Sequence, residues 1–158
     1  MTNDKYTVML DYLRQCPAMQ GVLGFQTVDA QDGSLRVLTT GADAEYRRTY
    51  IDGSVLRRFD FTIEFYRTMS YVPYVEGTPE PIENIQDILD VQELIDWIDD
   101  QKSAQNFPEF GAGYVVDSIT PMNDQPNLAW LDAVNYDPPL AKYTVNIRVE
   151  YMDYTRAI

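Results

Sequence analysis

A strict two-residue alternation constrains this chain more than any other feature. Phe59, Phe61, Ile63 and Phe65 alternate with Arg58, Asp60, Thr62 and Glu64. Side chains repeat every second residue only on a strand, so this segment is a strand with one buried and one wet face. Just upstream stands Asp52-Gly53, flanked by Tyr46 through Ile51 on one side and Ser54 through Met69 on the other. Both residues accept positive φ, which predicts a long hairpin with a two-residue type I′ turn. Near the other end, Tyr143, Val145, Ile147, Val149 and Tyr151 alternate with Lys142, Thr144, Asn146, Arg148 and Glu150. That is a second long strand of the same kind.

The segments around these strands complete one fold. Tyr6, Met9, Leu10 and Leu13 recur at helical spacing, with Asn3 as the expected cap and Cys16-Pro17 as the stop. Residues 18 to 33 carry Gly21, Gly24 and Gly33 and read as loop with one short strand; another strand is expected over Ser34 to Thr39. Pro73, Pro79 and Pro81 end the sheet and lead into a helical region. Ile82, Ile85, Ile88 and Leu89 form a first apolar stripe there. Asp90 with Glu93 resembles a capping box that restarts the helix, and Leu94, Ile95, Trp97 and Ile98 carry it to about Ser103. Tyr114–Thr120 and Asn127–Val134 read as further strands. The expected order is helix, three strands, helix, three strands. This is a single α+β domain over residues 1–158: a mixed, mostly antiparallel sheet with a long hairpin, packed by an N-terminal helix and a central acidic helical region.

Composition narrows the chemistry. The 158 residues are 45% apolar and 13% aromatic, which suits an ordinary core rather than a disordered tail. No apolar run approaches the roughly 18 residues of a membrane span. The start Met1-Thr2-Asn3-Asp4-Lys5 lacks the basic and apolar regions of a secretory signal. With 25 acidic and 12 basic side chains the formal charge is −13, which repels nucleic acid, and no sequence-specific nucleic-acid partner is expected. There is no histidine, which removes the commonest general base and the commonest zinc ligand. Cys16 is the one cysteine; with no histidine to activate it, it reads as a buried or helix-end residue rather than a nucleophile. Ser54, Ser70 and Ser118 lack an activating base in the same way. Gly111-Ala112-Gly113 lacks the lysine and following helix of a phosphate loop and reads as a turn. Asp87, Asp96, Asp99 and Asp100 are spread along a helix face, unlike a catalytic carboxylate pair. Trp130 and the twelve tyrosines read as core or interface packing. Neither a catalytic residue, nor a metal site, nor a cofactor is expected.

One cluster is not explained by folding alone. With Asp52-Gly53 as a two-residue turn, Ile51 pairs with Ser54, so Arg48 faces Arg57 and Arg47 faces Arg58. Like charges opposed across a ladder are destabilising. Such a patch is either a solvated hairpin whose arginines lie along neighbouring apolar surface, or an arm that docks on an acidic surface of another subunit. Asp96, Asp99 and Asp100 are the candidate receptor.

At these residues the chain resembles a known family. Tyr50-Ile51-Asp52-Gly53-Ser54, followed by Arg57, Arg58 and the Phe59/Phe61 strand, resembles phage minor capsid proteins of the tail-terminator type. Leu94-Ile95-Asp96-Trp97-Ile98-Asp99-Asp100-Gln101, with Phe107-Pro108 beyond it, is similar to that family's tryptophan-bearing helix and proline loop. Tyr12-Leu13-Arg14-Gln15-Cys16-Pro17 is similar to its first helix and proline stop. The likeness extends over most of the chain and rests on order and spacing; the stretch Met122–Pro139 is longer than the family's pattern. The resemblance implies a structural virion protein: a homohexameric ring on the last ring of tail-tube protein, facing the head-side connector or neck protein, and the sheath protein in contractile tails. It implies assembly in the host cytoplasm, then a place in the tail or neck of the virion. No catalytic residue is carried over, because the family has none. Two other classes stay open, a small acyltransferase-like enzyme and a monomeric acidic protein-binding module that mimics nucleic acid.

Overall fold

The computed structural model of the chain describes residues 4–20, 25, 34–41, 47–69, 85–136 and 138–158. Helix α1 (Lys5–Leu13) is followed by a 3₁₀ turn (Pro17–Met19) and by strands β1 (Leu35–Thr39), β2 (Arg48–Thr49) and β3 (Val55–Thr68). Helix α2 (Ile85–Ser103) then precedes β4 (Tyr114–Pro121), β5 (Asn127–Asp132) and β6 (Leu140–Asp153). The order helix, three strands, helix, three strands is the expected one, and the fold is α+β.

Antiparallel pairing of β3 with β6 is the axis of the sheet, unbroken from Val55↔Asp153 to Thr68↔Leu140. On the far side of β3, β1 pairs with residues 61–65 and the two-residue β2 with Val55 and Leu56. On the far side of β6, β4 pairs with its second half and β5 with its first. β4 and β5 are thus one edge strand broken in the middle. The side chain of Asn123 fills the break: its oxygen accepts the Asn146 N–H (3.0 Å) and its amide donates to the Thr144 carbonyl (3.3 Å). These bonds replace the missing ladder, as buried backbone groups require. This is what the long Met122–Pro139 stretch builds.

Alternation decides the two faces. Phe61, Ile63 and Phe65 of β3 join Val145, Ile147 and Val149 of β6 under Met9 and Leu13 of α1 and Val91, Leu94, Ile95 and Ile98 of α2, in one buried cluster. Phe59 and Trp97 are partly buried at its margin, and Trp97 leans on Tyr12 with centroids 5.2 Å apart. The other face is polar. Across it Arg148 binds Asp60 (3.1 Å), Thr62 binds Asn146 (2.6 Å), and Lys142 binds Glu64 (3.0 Å). β4 keeps this division only through a bulge between Val116 and Ser118. Tyr114 and Val116 face the core at even positions; the extra residue lets Ile119, opposite Val149, face it at an odd one.

Local chemistry sets the helix ends. Asp4, not Asn3, which lies outside the described residues, caps α1: its carboxylate accepts the Tyr6 N–H (2.9 Å) and the Thr7 hydroxyl (2.8 Å). α2 runs unbroken through Asp90, so the expected restart at Asp90/Glu93 does not occur. Asp90 instead accepts from Gln86 one turn earlier (2.9 Å), an i,i+4 bond that supports a continuous helix. α2 ends in a Schellman arrangement: Asn106 N–H donates to the Gln101 carbonyl (2.9 Å) and Gln105 N–H to Lys102 (3.1 Å). Gln105 takes the left-handed position at φ 55°. Of the loop expected over 18–33, Ala18 and Met19 belong instead to the 3₁₀ turn, and Phe25 bridges Val37 in parallel. Gly21, Gly24, Gly33, Tyr46, Ser70, Pro73, Pro79, Pro81 and Ile82 lie outside the described residues.

Two predictions follow from this packing. Phe61 is fully buried, so Phe61→Ala should lose about 3–5 kcal/mol in urea unfolding; unchanged stability would contradict the face assignment. Gln105→Gly should raise stability by up to about 1 kcal/mol, because glycine carries no Cβ penalty at positive φ. The same urea titration measures it.

Candidate assembly surface

The hairpin tip is built differently from the sequence expectation. Arg48 pairs with Leu56 and Thr49 with Val55, one residue out of the predicted register. The loop is therefore three residues, Ile51-Asp52-Gly53, closed by Gly53 N–H to the Tyr50 carbonyl (3.0 Å) and Tyr50 N–H to the Ser54 carbonyl (2.9 Å). A turn ending in a left-handed glycine suits that length, and Gly53 has φ +89°. Asp52 stabilises the longer loop: its carboxylate accepts both the N–H (2.9 Å) and the hydroxyl (2.6 Å) of Ser54. Those bonds hold its carboxyl below the usual range. Residues 154–158 lie against the turn. The Ile158 N–H donates to the Asp52 carbonyl (2.7 Å), and a Cβ on Gly53 would stand 2.6 Å from the Arg156 carbonyl oxygen.

The one-residue shift separates the four arginines. Arg57 turns inward and binds Asp153 (2.9 Å). Arg58 stands opposite Glu150 on the polar face. Arg47 and Arg48 are exposed and form no ion pair among the described residues. The expected opposition of Arg48 with Arg57, and of Arg47 with Arg58, is therefore absent; continued by one residue, the observed register brings Arg47 level with Arg57, whose charge is met by Asp153. What remains at the tip is an exposed apolar–cationic strip: Arg47, Arg48, Tyr50 and a wholly exposed Ile51.

On α2, Asp96, Asp99 and Asp100 are exposed, as expected for a solvated face. Asp96 accepts from Gln92 (2.9 Å). The same outward side has an apolar half, formed by the first apolar stripe of the helical region. Ile85, Ile88 and Leu89 are about half exposed and, with Met69, Leu128 and Tyr143, border a groove of about 570 Å³. Leu89 and Gln92 also border an adjoining groove with Glu93, Asp96 and Asp100. The signal was available: Ile85 and Leu89 sit four residues apart, in line with Glu93 and Asp96, and on the far side from Val91, Leu94 and Ile98. Ile51 was also missed. A β-branched aliphatic residue beside Asp-Gly runs against turn chemistry.

The groups tested for catalysis are placed otherwise. Cys16 is buried, and burial pushes its thiol up, away from the reactive thiolate. Gly111-Ala112-Gly113 is a turn; Gly113, at φ +85°, has its carbonyl bound by Tyr154 N–H (2.7 Å). Among the described residues no group of three or more acidic or cysteine side chains converges as a metal cluster would. No described helix is long and apolar enough to cross a membrane. No protein-family model and no curated protein sequence matches the chain.

Asp153 anchors the base of the tip. Burial alone would raise its carboxyl, but the hydroxyl and N–H of Thr155, with Arg57, outweigh it and hold the group below its ordinary value. A depressed folded value adds stability fully present above the unfolded value near ~3.9 and lost as pH falls through the folded one. Asp153→Ala should therefore cost about 1.5–3 kcal/mol near neutral pH. Its deficit should shrink as urea titrations are carried below that window; a pH-independent deficit would mean the charge is immaterial.

Proposed function

We propose that this protein is a structural subunit of a tailed-phage particle: a tail terminator that closes the tail tube as a homohexameric ring and meets the head-side connector. In a contractile tail the sheath protein would be a further neighbour. The subunit would be assembled in the host cytoplasm and reside in the tail or neck of the virion.

The observation that carries this reading is the edge of the sheet at β5, unpaired among the described residues. Leu128, Trp130 and Leu131 are exposed on its two faces, Val134 and Tyr136 continue the patch, and β6 is the strand's one ladder partner among the described residues. An apolar strand with an open edge invites pairing with another chain, and soluble monomers usually blunt such edges with charge or proline. Exposed apolar side chains gathered on an edge strand mark a candidate interface. The order of elements supports the finer assignment, because it follows the likeness to the tail-terminator family along the chain. The buried, un-ionised Cys16 and the lack of histidine weigh against the acyltransferase-like alternative. The arginine-bearing tip weighs against a nucleic-acid mimic, whose surface should be uniformly acidic.

Deleting the gene from the phage or prophage that carries it should leave heads and tails that fail to join, with tails of abnormal length in electron micrographs. Normal joined virions in that lysate would remove the assignment.

A further inference from the structure

We infer that the hairpin tip of one copy seats in the α2 groove of the next, a head-to-tail contact that is apolar at its end and ionic along its shaft. The inference rests on the assembly reading above and names the two surfaces that would meet.

The two surfaces match in order as well as in kind. Along the tip the chain presents Arg47 and Arg48, then Tyr50 and Ile51. Along the outward side of α2 it presents Ile85, Ile88 and Leu89, then Glu93, Asp96 and Asp100. Leu89 and Asp96 are separated by about 10 Å at 1.5 Å of helical rise per residue. Ile51 and Arg48 are separated by about 10 Å of extended chain. With Ile51 in the groove bordered by Leu89 and Leu128, Arg48 therefore reaches the acidic stretch. The charges are available on both sides: Arg47 and Arg48 make no ion pair among the described residues, and neither do Asp96, Asp99 and Asp100. In a chain of charge −13, an acidic surface repels most of its own copies, and the arginine tip is the part it attracts.

Topology makes the contact intermolecular. The tip lies before Val55, at one end of β3, and the groove reaches Met69, beyond the other end. Fourteen residues of strand span about 45 Å, so a chain cannot seat its own tip. The two surfaces are distinct, so when each copy's tip seats in a different neighbour the contact is heterologous, the kind that closes into a ring when its rotation permits. The tip arrives rigid, because Asp52, Gly53 and residues 154–158 fix the turn by the bonds described above; little ordering entropy opposes docking.

Cysteine pairing tests this directly in a Cys16→Ser background. Mixing separately purified Ile51→Cys and Leu89→Cys proteins under mild oxidation should give a covalent dimer that neither variant gives alone. Native mass spectrometry supplies the second arm. Arg47→Glu with Arg48→Glu should weaken oligomers at least ten-fold at low salt. Combining that variant with Asp96→Lys and Asp100→Lys protein in one mixture should restore mixed contacts. Oligomers that persist unchanged in Ile51→Asp, Leu89→Asp and the arginine variants would overturn the contact and leave the assembly reading standing. A tip-to-tip dimer from Ile51→Cys alone would also overturn it. A chain that stays monomeric at high concentration and on tail tubes would overturn both.

Discussion

The long β3–β6 pair is the constraint on which everything else depends. Fourteen consecutive positions are matched from Val55↔Asp153 to Thr68↔Leu140. A slip of one residue along that ladder would move Phe61, Ile63 and Phe65 to the face that holds Asp60, Thr62 and Glu64. The cross-strand pairs oppose such a slip from both sides. Phe61 with Ile147 and Ile63 with Val145 are matched in the core, while Asp60 with Arg148 is matched by charge on the wet face. Apolar burial gives the pairing its strength, and the polar pairs give it a register. With that axis fixed, both ends of the molecule are placed: the Asp52-Gly53 turn at one, the start of α2 at the other.

How α2 is tied to the sheet shows the same economy of charge. Arg67, near the far end of β3, reaches Asp87 and Asp90 on the helix at 3.8 and 3.9 Å. At the opposite end of α2, the Tyr12 hydroxyl donates to the Asn106 carbonyl (2.8 Å), and burial raises that phenol so that it stays a donor. α2 is held at both ends and buries Val91, Leu94, Ile95 and Ile98 between them. The side carrying Ile85, Leu89, Glu93 and Asp96 is left outward as a consequence of that seating. Rotating the helix to bury Leu89 would expose Leu94 and break the Arg67 contacts.

The strands were legible because period two is a property of the backbone, and the sequence obeys it through β3 and β6. The order of elements followed from the same alternation and from the proline stops. Turn length was not legible. Asp-Gly suits a two-residue turn and equally the last two positions of a three-residue one. The bond of Asp52 to Ser54, with residues 154–158 lying against Gly53, selects the longer loop. Those residues are distant in sequence, so no local reading contains them. The error mattered because one residue of register decides which arginines share a face. The break between β4 and β5 was hidden for a related reason: Asn123 acts as a piece of backbone there, a role that composition does not reveal. Of the candidate site, the acidic face of α2 was legible from charge spacing. Its apolar half is legible as a stripe, but spacing alone does not say that Ile85, Ile88 and Leu89 stay half exposed.

The distribution of cations explains why one end of the molecule differs from the rest. In a chain with twice as many acids as bases, each guanidinium or ammonium near a carboxylate is drawn into it. Arg36 and Lys142 lie beside Glu64, Arg57 binds Asp153, Arg67 reaches α2, and Arg148 binds Asp60. Such pairs on half-covered strands add little net stability each, but they neutralise charge that the sheet face would otherwise concentrate. Arg47 and Arg48 stand outside this pattern. Across the ladder Arg48 faces Leu56, not an acid, because the three-residue turn moved it out of line with the paired positions. The same step that takes Arg48 away from Arg57 therefore leaves a positive tip on an acidic molecule. A positive tip and an acidic helix side on the same molecule favour association of unlike surfaces over face-to-face association of identical patches.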